Sequence, residues 1–349
     1  MTEEQTARRR VPWKLIVRCA GSILLVAFVL RAVPVRAIAA RLGSADMALV
    51  AAAFALNVTG FFFSVLRWRV LLRGQGTDAR IRDLCEIYLV GIFFGSLLPG
   101  FLLGSDVVRS EATVKIARSR TRAYLTVAID RFSGLVVLAT FSLCGVALGG
   151  AEVTDMRARG IAIAVAFAVL VVGAVLYLPL ASSLLRAARQ LPIIGGFKLL
   201  QSVADGLEVF RAQPRVLAKA MFWAVVLQLN VILYYALIGA AVGISPVRVA
   251  YFIVVPLVLI LLMLPVSING IGLRDVLFWH LLAPFGVPRD GAVALAWVDL
   301  ALYLGIGLIG GAVFLWRGQD LLRLARAGGG ECPAAEIAPA GAQADGGRT

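Results

Sequence analysis

The sequence predicts an all-α, polytopic integral membrane protein, and three observations lead there. Of 349 residues, 60% are hydrophobic and 15% charged, with mean hydropathy +0.91; a soluble domain holds about 45–50% apolar and about 25% charged residues. The apolar residues gather in runs of roughly 20, the helical length that crosses a hydrocarbon core of about 30 Å. The 34 basic residues fall between these runs, and unevenly. A formal charge of +14 with no compact basic domain fits membrane orientation and anionic headgroups rather than nucleic acid.

The first run, Leu15 to Leu30, follows Arg8–Arg10 in the manner of a secretory signal. No A-x-A site comes after it and further apolar segments do, so 13–33 reads as a retained first span. Runs at 46–66, 123–149, 160–180 and 219–242 are long enough to cross, and so is 291–316, which carries Asp299. Two other stretches are interrupted: 86–103 by Pro99-Gly100, and 249–285 across Leu264–Gly272. Proline and paired glycines break the helical hydrogen-bond ladder, which a bilayer tolerates only where protein or a watered cavity satisfies the freed groups.

Arginine and lysine decide between a crossing and a hairpin at 86–103. Arg67, Arg69, Arg73, Arg80 and Arg82 precede it, while Arg109, Lys115, Arg118, Arg120 and Arg122 follow. Both flanks therefore read as cytoplasmic, which a re-entrant hairpin allows and a crossing forbids. With 249–285 as a second hairpin, six full spans put 25 basic residues inside and 8 outside, with Arg131 in a span. The prediction is a multi-pass protein of the cytoplasmic (inner) membrane with both termini cytoplasmic. It comprises one transmembrane domain, 1–326, a basic linker over 181–218, and a disordered Gly/Ala/Pro-rich tail, 327–349.

The two interrupted stretches read LLPGFLLGSDVVR and MLPVSINGIGLRD. Each has Leu-Pro, then glycine, then arginine nine or ten positions after the proline. Broken segments at corresponding places in two halves suggest an inverted repeat with a midplane site; chance recurrence in a Leu/Gly/Pro-rich chain is the other reading.

Asp130 and Arg131 are the most informative pair. They lie deep in a span, and adjacent helical residues do not face each other. Each charge costs about 2.5–3.5 kcal/mol at mid-membrane, so each needs its own partner or a watered cavity. A structural ion pair between helices and a polar pathway are both open. Asp106 and Arg109 follow the first break, and Arg274 and Asp275 the second. Ser105 and Asn269 suit the N-cap of helices restarting there. A restarting helix with an arginine nearby could hold phosphate, and Arg109 and Arg274 would do so from opposite halves; a snorkelling interfacial role is the alternative for Arg109. Arg67-Trp68-Arg69 and Trp316-Arg317 read as interfacial anchors.

No P-loop, HExxH, CxxC or GxSxG motif occurs. Cys19, Cys85, Cys144 and Cys332 are scattered, and His280, the single histidine, sits among apolar residues. No cofactor, metal or catalytic residue is assigned.

Four motifs in order, LRWRVLL, FFGSLLPGFLLGSDVVRS, AIDRFSGL and LPVSINGIGLRD, resemble the flippase-like, lysylphosphatidylglycerol synthase transmembrane-region family over about 15–316. The matching positions are Arg67 and Trp68; Pro99, Gly104, Asp106 and Arg109; Asp130 and Arg131; and Pro265, Ser267, Gly270, Gly272, Arg274 and Asp275. Ser105 stands between Gly104 and Asp106, one residue more than the family element has. The resemblance implies translocation or handling of an anionic phospholipid or a polyprenyl-phosphate-linked lipid. With no soluble aminoacyl-transferring domain after the last span, it argues against lysyl transfer. A membrane enzyme acting on headgroups and a non-catalytic scaffold are the alternatives; self-association is left open.

Overall fold

A computed structural model describes residues 24, 26–97, 101–117, 119–149, 160, 163–171, 213–244, 248–263, 267 and 269–326, and all regular structure among them is helical. The helices are α1 (Val35–Gly43), α2 (Met47–Gly74), α3 (Ile81–Leu97), α4 (Phe101–Ala117), α5 (Arg120–Leu148), α6 (Pro214–Ala241), α7 (Arg248–Leu261), α8 (Leu273–Leu282) and α9 (Arg289–Arg326). Local sequence sets several starts. The Asp46 carboxylate accepts from the N–H groups of Ala48 and Leu49 at 2.8 and 3.3 Å, capping α2. Ser119 caps α5 through the Arg122 N–H, and Pro214 opens α6, where its missing N–H costs nothing.

Among the described residues, four helices are long and apolar enough to cross a membrane: α2, α5, α6 and α9. They coincide with the predicted spans at 46–66, 123–149, 219–242 and 291–316. The helices overrun the predictions, α2 to Gly74 and α9 to Arg326, because charged residues that end an apolar run need not end a helix. The predicted spans at 13–33 and 160–180, the linker at 181–218 and the tail at 327–349 lie mostly or wholly outside the described residues.

Both interrupted stretches are helical hairpins. α3 and α4 fold back across 98–100, which brings Gly91 against Ser105 and the Arg109 stem. α7 and α8 do the same, with Ile253 and Leu257 packed near Leu281 and Phe285. Pro99, Gly100 and Pro265 lie outside the described residues. Gly104 sits within α4. At the second tip the backbone turns through left-handed conformations at Asn269 (φ 53°), Gly270 (φ 71°) and Gly272 (φ 77°), where glycine bears no Cβ penalty.

The halves repeat: span, hairpin, span in α2 to α5, and again in α6 to α9. α2 and α6 pack along each other in opposite directions, with Gly60 meeting Leu227 and Asn230 while Gly74 meets Val216. Because these equivalent helices are antiparallel, the repeat is inverted. Each hairpin packs its first arm on the last long helix of the other half. Leu89 and Phe93 of α3 lie on Gly310 and Gly311 of α9, and Phe252 and Ile253 of α7 lie on Gly145 of α5. At one end Arg41 joins the halves through Asp290 at 2.7 Å and the Val242 carbonyl at 3.3 Å.

Cysteines introduced at Gly76 and Ser119, which bracket the first hairpin, should react with an impermeant thiol reagent from one side of the membrane only. Reaction from opposite sides would make α3–α4 a crossing. A Cβ on Gly310 would overlap the Leu89 carbonyl, whereas one on Gly305 would sit 3.7 Å from Phe54. Gly310→Ala should therefore destabilise by about 1–3 kcal/mol in detergent melting, and Gly305→Ala should be neutral or stabilising by up to about 1 kcal/mol.

Candidate functional site: two buried charge clusters

Asp130 is the eleventh residue of α5, roughly 15 Å along it at 1.5 Å per residue, and is fully buried. Its Oδ1 accepts from Arg67 Nε at 2.7 Å and its Oδ2 from Arg109 Nη2 at 3.3 Å. One position on, Arg131 points elsewhere, and its Nε and Nη2 hold Asp106 at 2.8–2.9 Å. Arg109 also reaches Asp106 at 3.5 Å. Three arginines against two aspartates leave this cluster one net positive charge. The adjacent pair thus ties α5 to α2 and α4, as expected from residues that cannot face one another.

Aromatic rings and glycines shape this first cluster. The Arg109 guanidinium lies over Trp68 and Tyr88, 4.5 and 4.1 Å from their ring centres, a cation–π arrangement strengthened by desolvation. Gly134, one turn after Asp130, lets the Arg67 guanidinium cross α5; a Cβ there would sit 3.2 Å from Arg67 Nη1. Buried N–H groups at Arg67 Nη1, Trp68 Nε1 and Arg109 Nε, and the Gln228 Oε1 acceptor on α6, have no hydrogen-bond partner among the described residues. The outer edge is Arg131 and Asp106, whose side chains are 25% and 16% exposed.

The second cluster occupies the equivalent place. Asp299 is the eleventh residue of α9. Arg274 Nη1 lies 2.8 Å from its Oδ2. Tyr234 and Tyr235 of α6 donate to Oδ1 and Oδ2 at 2.8 and 3.0 Å. Tyr234 and Tyr235 stand at the positions of α6 that Arg67 and Trp68 hold in α2, the twenty-first and twenty-second. Asp275 is buried in the first turn of α8, beside Arg274. One arginine against two aspartates leaves one net negative charge. Tyr303, one turn beyond Asp299, is within electrostatic range of Arg274 and Asp299 on one side and of Arg131 and Tyr88 on the other.

Three sequence expectations are corrected. Ser105 is not an N-cap, because α4 already begins at Phe101. That puts Arg109 nine residues into the helix, away from the free N–H groups, where it lies fully buried on carboxylates rather than snorkelling. Asn269 is not an N-cap either; Gly272 holds that position, since the left-handed run delays the restart. Arg67 and Trp68 are not interfacial anchors but are buried at 4% and 0% exposure: α2 continues past them, and Asp130 supplies the countercharge. Arg274 is on the first turn after its break, yet its guanidinium is directed at Asp299. His280 is structural, donating from Nδ1 to the Val276 carbonyl on an exposed face. Ser267 and Gly270 sit at the second hairpin tip, and a Cβ on Gly270 would come within 4 Å of the Arg274 guanidinium.

Sequence reasoning passed over Tyr88, Gln228, Tyr234, Tyr235 and Tyr303. The adjacent tyrosines inside an apolar run and the four-residue spacing of Asp299 and Tyr303 were the available signals.

Inverted halves, broken hairpins and two clusters of buried charges define a polytopic membrane protein built around a buried polar core. The chain belongs to the lysylphosphatidylglycerol synthase TM region family, whose model matches residues 15–311. No curated protein and no solved structure matches it.

Removing Asp130 would strand buried arginines, and breaking a buried pair costs about 3–5 kcal/mol. Asp130→Ala should therefore lower folded yield and melting temperature sharply. Arg131→Ala, at the partly exposed edge, should cost distinctly less. An Asp130→Ala melting temperature equal to that of the unsubstituted protein would mean that Asp130 carries no structural role.

Proposed function

We propose that the protein moves an anionic lipid, a phospholipid or a polyprenyl-phosphate-linked lipid, between leaflets without ATP. The observation behind this reading is the first cluster: net positive, buried among the long apolar helices, with N–H donors that have no partner among the described residues and an edge at Arg131 and Asp106 that is not sealed. An anionic headgroup supplies both the charge and the acceptors that such a cluster lacks. Inverted halves around the site suit alternating access to two leaflets, and membership of a family named for a lipid synthase's membrane region agrees with a lipid substrate. No P-loop is available to couple ATP hydrolysis.

The test is reconstitution of the purified chain in phosphatidylcholine vesicles carrying fluorescent phosphatidylglycerol, with leaflet exposure followed by quenching. Protein-dependent movement of unaltered lipid is expected. Arg131→Gln should slow it about 10- to 100-fold, the loss of one charge-assisted contact of roughly 1.5–3 kcal/mol. Chemical conversion of the lipid without movement would establish a headgroup enzyme instead. Neither movement nor conversion would leave a scaffold.

A further inference from the structure

The three arginines of the first cluster are not equally placed. Arg67 and Arg109 are buried on Asp130, whereas Arg131 stands with Asp106 at the partly exposed edge. Its Nε and Nη2 grip the Asp106 carboxylate as a fork, at 2.8–2.9 Å. A guanidinium takes two oxygens of a phosphate in the same geometry. Asp106 therefore sits where a lipid phosphate would sit, on the one guanidinium of this cluster that is not buried.

Asp106 also has a second partner to turn to. It lies on α4 three residues before Arg109, whose Nη1 is 3.5 Å from its Oδ1, longer than an ordinary N–H···O bond. A change of side-chain rotamer, with no movement of α4, would shorten that contact and free both Arg131 donors. Asp130 has no such freedom: it is fully buried and already holds Arg67 on one oxygen and Arg109 on the other. The charges close as well. Three arginines and two aspartates carry one net positive charge, and a phosphodiester with one negative charge brings the group to zero while Asp106 stays ionised. The second cluster offers no equivalent edge, because Arg274 and Asp299 are both buried.

We infer that Asp106 is a displaceable internal anion: in the lipid-free protein it neutralises Arg131, and an arriving phosphate takes Arg131 and turns Asp106 toward Arg109. The device acts in both states of the site. Empty, it keeps Arg131 from standing without a countercharge among apolar helices, where an unpaired charge is costly. Loaded, it holds a competitor within reach of Arg131, so that the phosphate can be expelled and binding does not become a trap. The inference rests on the reading of this cluster as an anionic-lipid site, and adds how that site is kept when empty and how it is emptied.

The test titrates fluorescent phosphatidylglycerol into the detergent-solubilised full-length protein and follows its movement in phosphatidylcholine vesicles. Asp106→Asn should bind the lipid about 10-fold more tightly, because the internal competitor for a charge-assisted contact is gone. It should also move the lipid more slowly, because release has lost the anion that drives it. A carboxylate with only a structural role would instead lower affinity and folded yield together. Asp106→Glu covers the case in which Asp106→Asn does not fold: it keeps the charge, the extra methylene spoils the fork, and affinity should rise by a smaller factor. Glu111→Gln removes the other carboxylate of α4, which is engaged by Arg120 and Tyr124 outside the cluster, and should leave affinity unchanged. No rise in Asp106→Asn, or in Asp106→Glu where only that variant folds, overturns the inference, as does an equal rise in Glu111→Gln. If affinity shifts as expected but the unsubstituted protein moves no lipid, the displaceable anion stands and the transport reading falls. Lipid movement without the shift in affinity leaves the transport reading and removes the displaceable anion.

Discussion

A charge at mid-bilayer cannot borrow water, so it must be answered by protein, and that requirement organises the molecule. Asp130 and Arg131 are consecutive on α5 and project in different directions. Satisfying both recruits Arg67 from α2 and Asp106 and Arg109 from α4. Without them α4, with its buried Arg109 and nearby Asp106, would be a poor occupant of an apolar environment. The ion pairs explain why a polar arm lies inside a hairpin.

The inverted repeat extends the same constraint to the second half. Each hairpin is held by its second arm to its own half, through Asp130 in one and Asp299 in the other. Its first arm lies on the closing helix of the opposite half. Small residues make this cross-packing close: Gly310 and Gly311 admit α3, and Gly145 admits α7. Transmembrane association gains little from a hydrophobic effect that lipid tails already satisfy, so close backbone approach and interhelical hydrogen bonds carry more of the cohesion. A movement of one hairpin is therefore felt at both halves.

Within this shared frame the chemistry has diverged. Arg67 and Trp68 in α2 face Asp130, and Tyr234 and Tyr235 in α6 hold the same places toward Asp299. Exchanging a guanidinium for hydroxyls removes a positive charge and replaces a fixed donor by a group that can reverse its role. The first cluster is thereby left net positive and the second net negative, with Tyr303 within electrostatic range of both.

Much of the architecture was legible in residue order, because membrane insertion is governed by one-dimensional quantities. Run length marked α2, α5, α6 and α9, the arginine distribution argued for the first hairpin, and Leu-Pro with later glycine and arginine located both breaks. The depth of Asp130 and Arg131 also showed that each needed a separate partner. Which partner was a different matter. Arg67 lies 63 residues from Asp130, and Tyr234 lies 65 from Asp299, and no periodicity within one helix reports which faces of two helices meet. Arg67-Trp68 reads as an interfacial anchor until α5 is packed beside it, and Ser105 and Asn269 read as caps until the helix starts are seen. The sequence by itself determined where the chain enters the bilayer and which charges it carries there. Tertiary packing alone decided which charges neutralise one another, because that depends on interhelical contacts the chain makes only when folded.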